Sequence, residues 1–190
     1  MTPAKLLVPT YVQLLNALSG WLGKAEAQLS ADEAEALLSA RLAPDMFPLS
    51  TQIRFACVQA QEGLARLQGM GFPASIDALL DEGRNAGTHP GTMADAQDRI
   101  NQTVALVQAA ESDQFDNDGE RPIEHSLPNG MIFDLTAETY ARDWTLPQFY
   151  FHVMTAYAIL RSEGINLGKA DYVSHMFAYL RPGTLPSQHD

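Results

Sequence analysis

The side chains able to hold a metal or move a proton are few and scattered. Five histidines are present, His89, His125, His152, His175 and His189. No two are spaced by three or four residues, so no helix face offers a ready pair of ligands. The one cysteine, Cys57, falls on the apolar stripe of a predicted helix, which reads as a buried, inert thiol. Acidic residues are scattered along polar faces, where no acid–base pair can be recognised. The chain carries no nucleophile elbow around a serine, no Walker loop and no dinucleotide-binding glycine pattern after a strand.

Among the histidines, His152 carries the most weight. It lies in an apolar helix, with Thr155 and Ala156 one turn further along the same face. An imidazole placed there must find a hydrogen-bond partner or lose about 1–3 kcal/mol. One reading is a core histidine tied to a backbone carbonyl, a tyrosine hydroxyl or a carboxylate, and this reading leads. The other is a ligand or general base facing a pocket. His125 and His175 could each reach another element, while His89 and His189 read as solvent-exposed bystanders. Asp45, in a turn bracketed by Pro44 and Pro48, reads as a capping or ion-pair residue or as part of a pocket mouth. Tyr150, Met154 and Tyr157 read as core.

These residues must be positioned mainly by helices. Tyr11, Leu14, Leu15, Leu18, Trp21, Leu22, Ala25 and Leu29 step by three and four, which predicts a helix over about 9–29. Ser30 and Glu33 form a capping-box pattern that opens a short helix stopped by Pro44. Ser50 reads as the cap of a second long helix reaching Gln68, with Ile53, Ala56, Cys57, Ala60, Leu64 and Leu67 as its stripe. One or two helical turns are expected over 75–82. Thr92, with Asp95 after it, caps a third long helix, followed by an acidic loop over 111–120. Two strand-like runs, 123–127 and 131–135, flank Pro128-Asn129-Gly130 and predict a hairpin. A short helix follows, ending near Trp144. A fourth long helix begins at Thr145 or Leu146, with Pro147 in its first turn, and Gly164 closes it. From Phe149 to Leu160 this helix is apolar on nearly every side, which predicts burial on nearly every side. A final helix is expected over 169–179. The pattern predicts an all-α four-helix bundle with short accessory helices and a small β-hairpin before the last long helix. It reads as one domain over residues 1–180, with a tail at 181–190.

With 23 acidic against 12 basic residues the net charge is −11. That field repels nucleic-acid phosphates and anionic membranes, so neither is an expected partner. No run of about 18 apolar residues is long enough to span a bilayer. A lone thiol and an N-terminus unlike a signal peptide predict a cytoplasmic location.

Three segments together resemble a known family: Ala40-Arg-Leu-Ala-Pro-Asp-Met-Phe-Pro-Leu49, then Leu146-Pro-Gln-Phe-Tyr-Phe-His-Val-Met-Thr-Ala-Tyr-Ala-Ile-Leu-Arg161, then Gly164 through Leu167-Gly-Lys-Ala-Asp-Tyr172. Their order and spacing are similar to an uncharacterised bacterial domain-of-unknown-function family of the DinB/YfiT-like metalloenzyme superfamily. The resemblance implies an up-and-down four-helix bundle with an added hairpin, often dimeric. It also implies where a metal would sit, because metal-binding members use one histidine from the second long helix and two, four residues apart, from the last. His152 resembles the first of that last pair. Its partner position is Ala156, beside Tyr157, and no histidine lies between Ser50 and Gln68. The expectation is therefore a bundle without metal or other cofactor, in which His152, Tyr157, Asp45, Gln52 and Thr155 are the pocket candidates. It would act as a binding module for a small molecule or a protein, as a homodimer. The rival is a metal-dependent thiol transferase or hydrolase-type enzyme, holding zinc or nickel at a site rearranged around His152.

Overall fold

The computed structural model describes residues 2–110 and 118–184 of the chain. Helix α1 spans Pro3–Gln28 and is capped by Thr2, whose hydroxyl accepts from the Lys5 amide. It starts before residue 9, so Pro9 lies inside it. An interior proline costs about 3 kcal/mol. Ala4, Leu7 and Tyr11, all buried around it, supply the compensating burial. Ser30 and Glu33 form the expected capping box for α2 (Ala31–Ala36), and a 3₁₀ turn over Leu37–Ser39 follows.

Helix α3 (Leu49–Gln68) has the predicted length and ends at Gly69, whose φ is +68°. Ser50 is not its cap. Pro48 occupies that position, while the Ser50 hydroxyl donates to the Pro90 carbonyl at 2.5 Å and accepts from Arg54 Nη1 at 2.9 Å. Helix α4 (Ala74–Asn85) is longer than the one or two turns expected. Tertiary packing extends it, since the Thr51 hydroxyl bonds the Gly83 carbonyl at 2.8 Å and a Cβ at Gly83 would lie 2.5 Å from the Phe55 ring. Helix α5 (Met93–Ala109) opens on the Thr92–Asp95 pair as predicted. The expected acidic loop falls largely on 111–117, outside the described residues, as does His189.

Strands β1 (Pro122–Ser126) and β2 (Ile132–Thr136) pair antiparallel, with Ile123 opposite Leu135 and His125 opposite Phe133. An isolated hairpin is marginal in water, and this one is fastened to the bundle. Arg121 Nη2 donates to the Arg66 and Leu67 carbonyls at the end of α3, and Arg66 Nη1 donates to the Glu124 carbonyl. Those two carbonyls belong to the set that a helix end leaves without intrahelical partners.

The expected break at Trp144 is absent. A helical turn, α6 (Ala137–Thr139), runs through a wide π-turn over Tyr140–Thr145 into α7 (Leu146–Ser162). Pro147 explains the π-turn, because in a regular helix its ring would collide with the carbonyl four residues back. The Leu146 amide instead reaches the Ala141 carbonyl, five residues back. Gly164, at φ +85°, precedes α8 (Lys169–Tyr172) and a 3₁₀ segment over Ser174–Tyr179. Trp21 Nε1 bonds the Asp171 carbonyl, and its ring stacks with Tyr172, which seats this end on α1.

Helices α1 and α3 each pack against both α5 and α7, around a core that includes Trp21, Tyr11, Phe149 and Ile53. The bundle is therefore the predicted one. The expectation of all-round burial for α7 is not met, because Tyr150, Phe151 and Met154 are 37%, 57% and 39% exposed. Apolar composition sets how much surface a helix can hide, and here the bundle covers only the face carrying Phe149, Val153, Ala156, Ile159 and Leu160. No described helix is long and apolar enough to cross a membrane.

Candidate functional site

The Pro-bracketed turn before α3 and the first two turns of α7 converge on one buried pair. Gln52, on the first turn of α3, donates from Nε2 to the Phe47 carbonyl at 3.2 Å. A carbonyl only accepts, so the amide orientation is set and Oε1 must face the other way. There it lies 2.8 Å from His152 Nδ1. The amide oxygen also only accepts, so Nδ1 carries the proton and Nε2 keeps a bare lone pair. The partner is a side-chain amide rather than the backbone carbonyl, tyrosine or carboxylate that the sequence suggested.

Burial lowers the His152 pKa to about 4, so the ring is neutral at pH 7. Nε2 bonds no described residue and is not sealed inside the fold. Around it the rings form a continuous ridge. Phe47 meets Phe55 edge-on at 5.7 Å, Phe55 meets His152 at 5.4 Å, and Phe151 meets His152 at 5.3 Å. Phe47 and Phe151 are both more than half exposed. The arrangement therefore presents one neutral hydrogen-bond acceptor within an uncharged aromatic surface. At a pKa of about 4 it is a weak base, better suited to accepting a hydrogen bond than to abstracting a proton at neutral pH.

Of the five candidates, the fold joins His152 and Gln52. Thr155 is buried one turn along, but its hydroxyl donates back to the Phe151 carbonyl at 2.6 Å. Asp45 is exposed in the turn that supplies Phe47. Tyr157 lies round the helix, against Trp21 at 5.1 Å and Tyr172 at 6.4 Å. Ala156, at the partner position for a second histidine, is fully buried and apolar. Among the described residues no three His, Cys, Asp or Glu side chains are grouped to hold a metal ion. One imidazole nitrogen, whose neighbour Gln52 has already committed its oxygen, does not fit a three-ligand zinc or nickel centre.

Of the other candidates, Cys57 is buried as its stripe predicted, and burial pushes its thiol up to about 11. His89 is exposed, its Nδ1 beside the Thr88 hydroxyl. His125 does reach another element, packing 4.3 Å from Trp144 and 5.4 Å from Tyr140. Both of its ring nitrogens are buried without partners among the described residues, and desolvation, aided by Arg66, lowers its pKa.

Residues 5–173 match the family model described as "Domain of unknown function (DUF1993)". The chain belongs to this family. A DUF1993 domain carries no assigned activity. A comparison with the curated proteins finds no match. Among solved structures, this DUF1993 chain is similar to a DinB family member protein from Shewanella denitrificans. The two share 30% identity over 96% of this chain and 95% of that one, with a TM-score of 0.72. The DUF1993 fold is therefore DinB-like along nearly its whole length.

The buried Arg54 is the residue that reading the sequence missed. It lies one position from the apolar stripe of α3 and is 3% exposed. A cation so close to a helix's buried stripe was the available signal.

Proposed function

We propose that this protein is a binding module that works as a homodimer through the aromatic ridge around His152, with Nε2 as the acceptor for a donor on the partner. The observation that carries the reading is the Phe47–Gln52–His152 relay, which fixes a neutral imidazole and leaves its outer nitrogen bare. Exposed apolar groups gathered on one face mark association surfaces on soluble proteins, and Phe47, Tyr150, Phe151 and Met154 are all more than one-third exposed. Charge favours the same face. Two copies each at −11 repel at long range, and they can approach at least cost over the uncharged rings of Phe47, Phe55 and Phe151, with the opposite charges of exposed Arg41 and Asp45 at their edge.

Sedimentation velocity at micromolar concentration tests this. The expected result is a dimer for the native chain and a monomer for Phe151→Asp, whose native phenyl is 57% exposed, so that the substitution leaves the fold intact. A monomeric native chain, or a dimer that survives Phe151→Asp, overturns the reading.

A further inference from the structure

A second site, with no ridge residue in its lining, is a cavity of about 430 Å³ between α3, α4 and α5. Such a volume suits a small organic ligand. Its lining is charged, and most of those charges are already engaged. The Glu82 carboxylate receives both Nε and Nη2 of Arg99, and Arg54 Nε lies 3.4 Å away. Arg99 Nη1 bonds Gln102 at 3.1 Å. Asp95 accepts from the amide and hydroxyl of Thr92 at 2.9 and 2.8 Å.

Arg54, although ion-paired with Glu82, keeps one nitrogen without a partner among the described residues, and so does the carboxylate of Asp98. Arg54 is 3% exposed. Its Nη1 is held by Ser50 at 2.9 Å, its Nη2 donates to no described residue, and both Arg54 and Gly91, which lies against Nη2, line the cavity. Asp98, also on the wall, pairs with no described residue. Gly91 leaves the approach to Arg54 open. A Cβ there would lie 2.8 Å from Nη2 and 3.3 Å from the Asp95 carboxylate, and its φ of +72° disfavours any side chain.

We infer that this cavity binds a small zwitterion of the amino-acid type, its carboxylate on Arg54 Nη2 and its ammonium on Asp98. A buried guanidinium donates strong charge-assisted hydrogen bonds to a carboxylate, and an acid on the wall of the same cavity with no partner among the described residues disfavours ligands that are anionic only. The inference does not depend on the dimer, because none of these residues belongs to the ridge.

Calorimetric titration with three probes tests it: norvaline, pentanoate, which lacks the ammonium, and pentylamine, which lacks the carboxylate. Norvaline is expected to bind at least about tenfold tighter than either half, a difference of about 1.4 kcal/mol. Asp98→Asn, at an exposed position that leaves the fold unchanged, should reduce norvaline to the affinity of pentanoate. Gly91→Ala should weaken norvaline and pentanoate alike. The site is refuted if the three probes bind equally, if norvaline shows no heat at about 10 mM, or if Asp98→Asn leaves its affinity unchanged.

Discussion

Acidification from pH 7 to 4 should remove about 3 kcal/mol of stability through His152 alone. The folded protein holds this ring at a pKa of about 4, whereas an unfolded histidine titrates near pH 6.5. Above that unfolded value both states are neutral and the stability is fully present. As the pH falls below it, the unfolded chain takes up the proton first, and the loss grows until the folded ring also titrates. His125, whose pKa is also lowered by burial, acts in the same direction. Urea denaturation at pH 7 and pH 4 measures the total, and His152→Leu isolates the share. That variant should be weaker at pH 7, because Gln52 loses its donor, yet lose about 3 kcal/mol less than the native chain on acidification. Gln52→Glu supplies the converse. A carboxylate against Nδ1 stabilises the imidazolium and should raise the His152 pKa by about 1–3 units, so acid costs less. An unchanged pH dependence in both variants would contradict the hydrogen-bond assignment.

Gly63→Ala should lower the melting temperature by about 5–10 °C, a loss of about 2–3 kcal/mol. Alanine in place of glycine inside a helix ordinarily adds about 1 kcal/mol, so the sign here is set by packing. A Cβ at Gly63 would lie 2.5 Å from Thr145 Oγ1 and 2.6 Å from the Tyr11 hydroxyl. Those two groups share a buried 2.8 Å hydrogen bond where α1 meets the start of α7. Both residues are fully buried, so the new methyl must push α3 outward or break that bond. Gly20→Ala is the matched control, since it lies in α1 with nothing within 4 Å of its Cβ. It should raise the melting temperature by about 2–4 °C. A Gly63→Ala protein as stable as the control would show that the close approach of α1, α3 and α7 is not part of the fold.

How much of this was legible in the sequence depends on whether a signal is local. The stripe from Tyr11 to Leu29, the Ser30–Glu33 and Thr92–Asp95 caps and the Pro128-Asn129-Gly130 turn each act within a few residues, and the fold keeps them. Pro9 and Pro147 differ in outcome. The first sits inside α1, which starts at Pro3 rather than near residue 9, tolerated by burial on both sides. The second lies in the first turn of α7 as expected, but after a π-turn that joins α6 to α7. The site was only half visible. His152 stood out as a polar residue in an apolar run, but its partner Gln52 lies one hundred positions away. Thr155 gave no sign that its hydroxyl would bond its own helix. Arg54 and Asp98 acquire meaning only once Glu82, Arg99, Ser50 and Thr92 have each been paired.

In the proposed dimer, His152 presents a bare Nε2 to the second copy of the chain. Long-range ¹H–¹⁵N spectra of histidine-labelled protein test it directly when recorded above and below the concentration at which the dimer dissociates. A neutral ring protonated at Nδ1 is expected at both concentrations, with the Nε2 resonance moving on dilution as its partner donor leaves. A proton on Nε2, or an Nε2 resonance that stays fixed while the dimer comes apart, would contradict it.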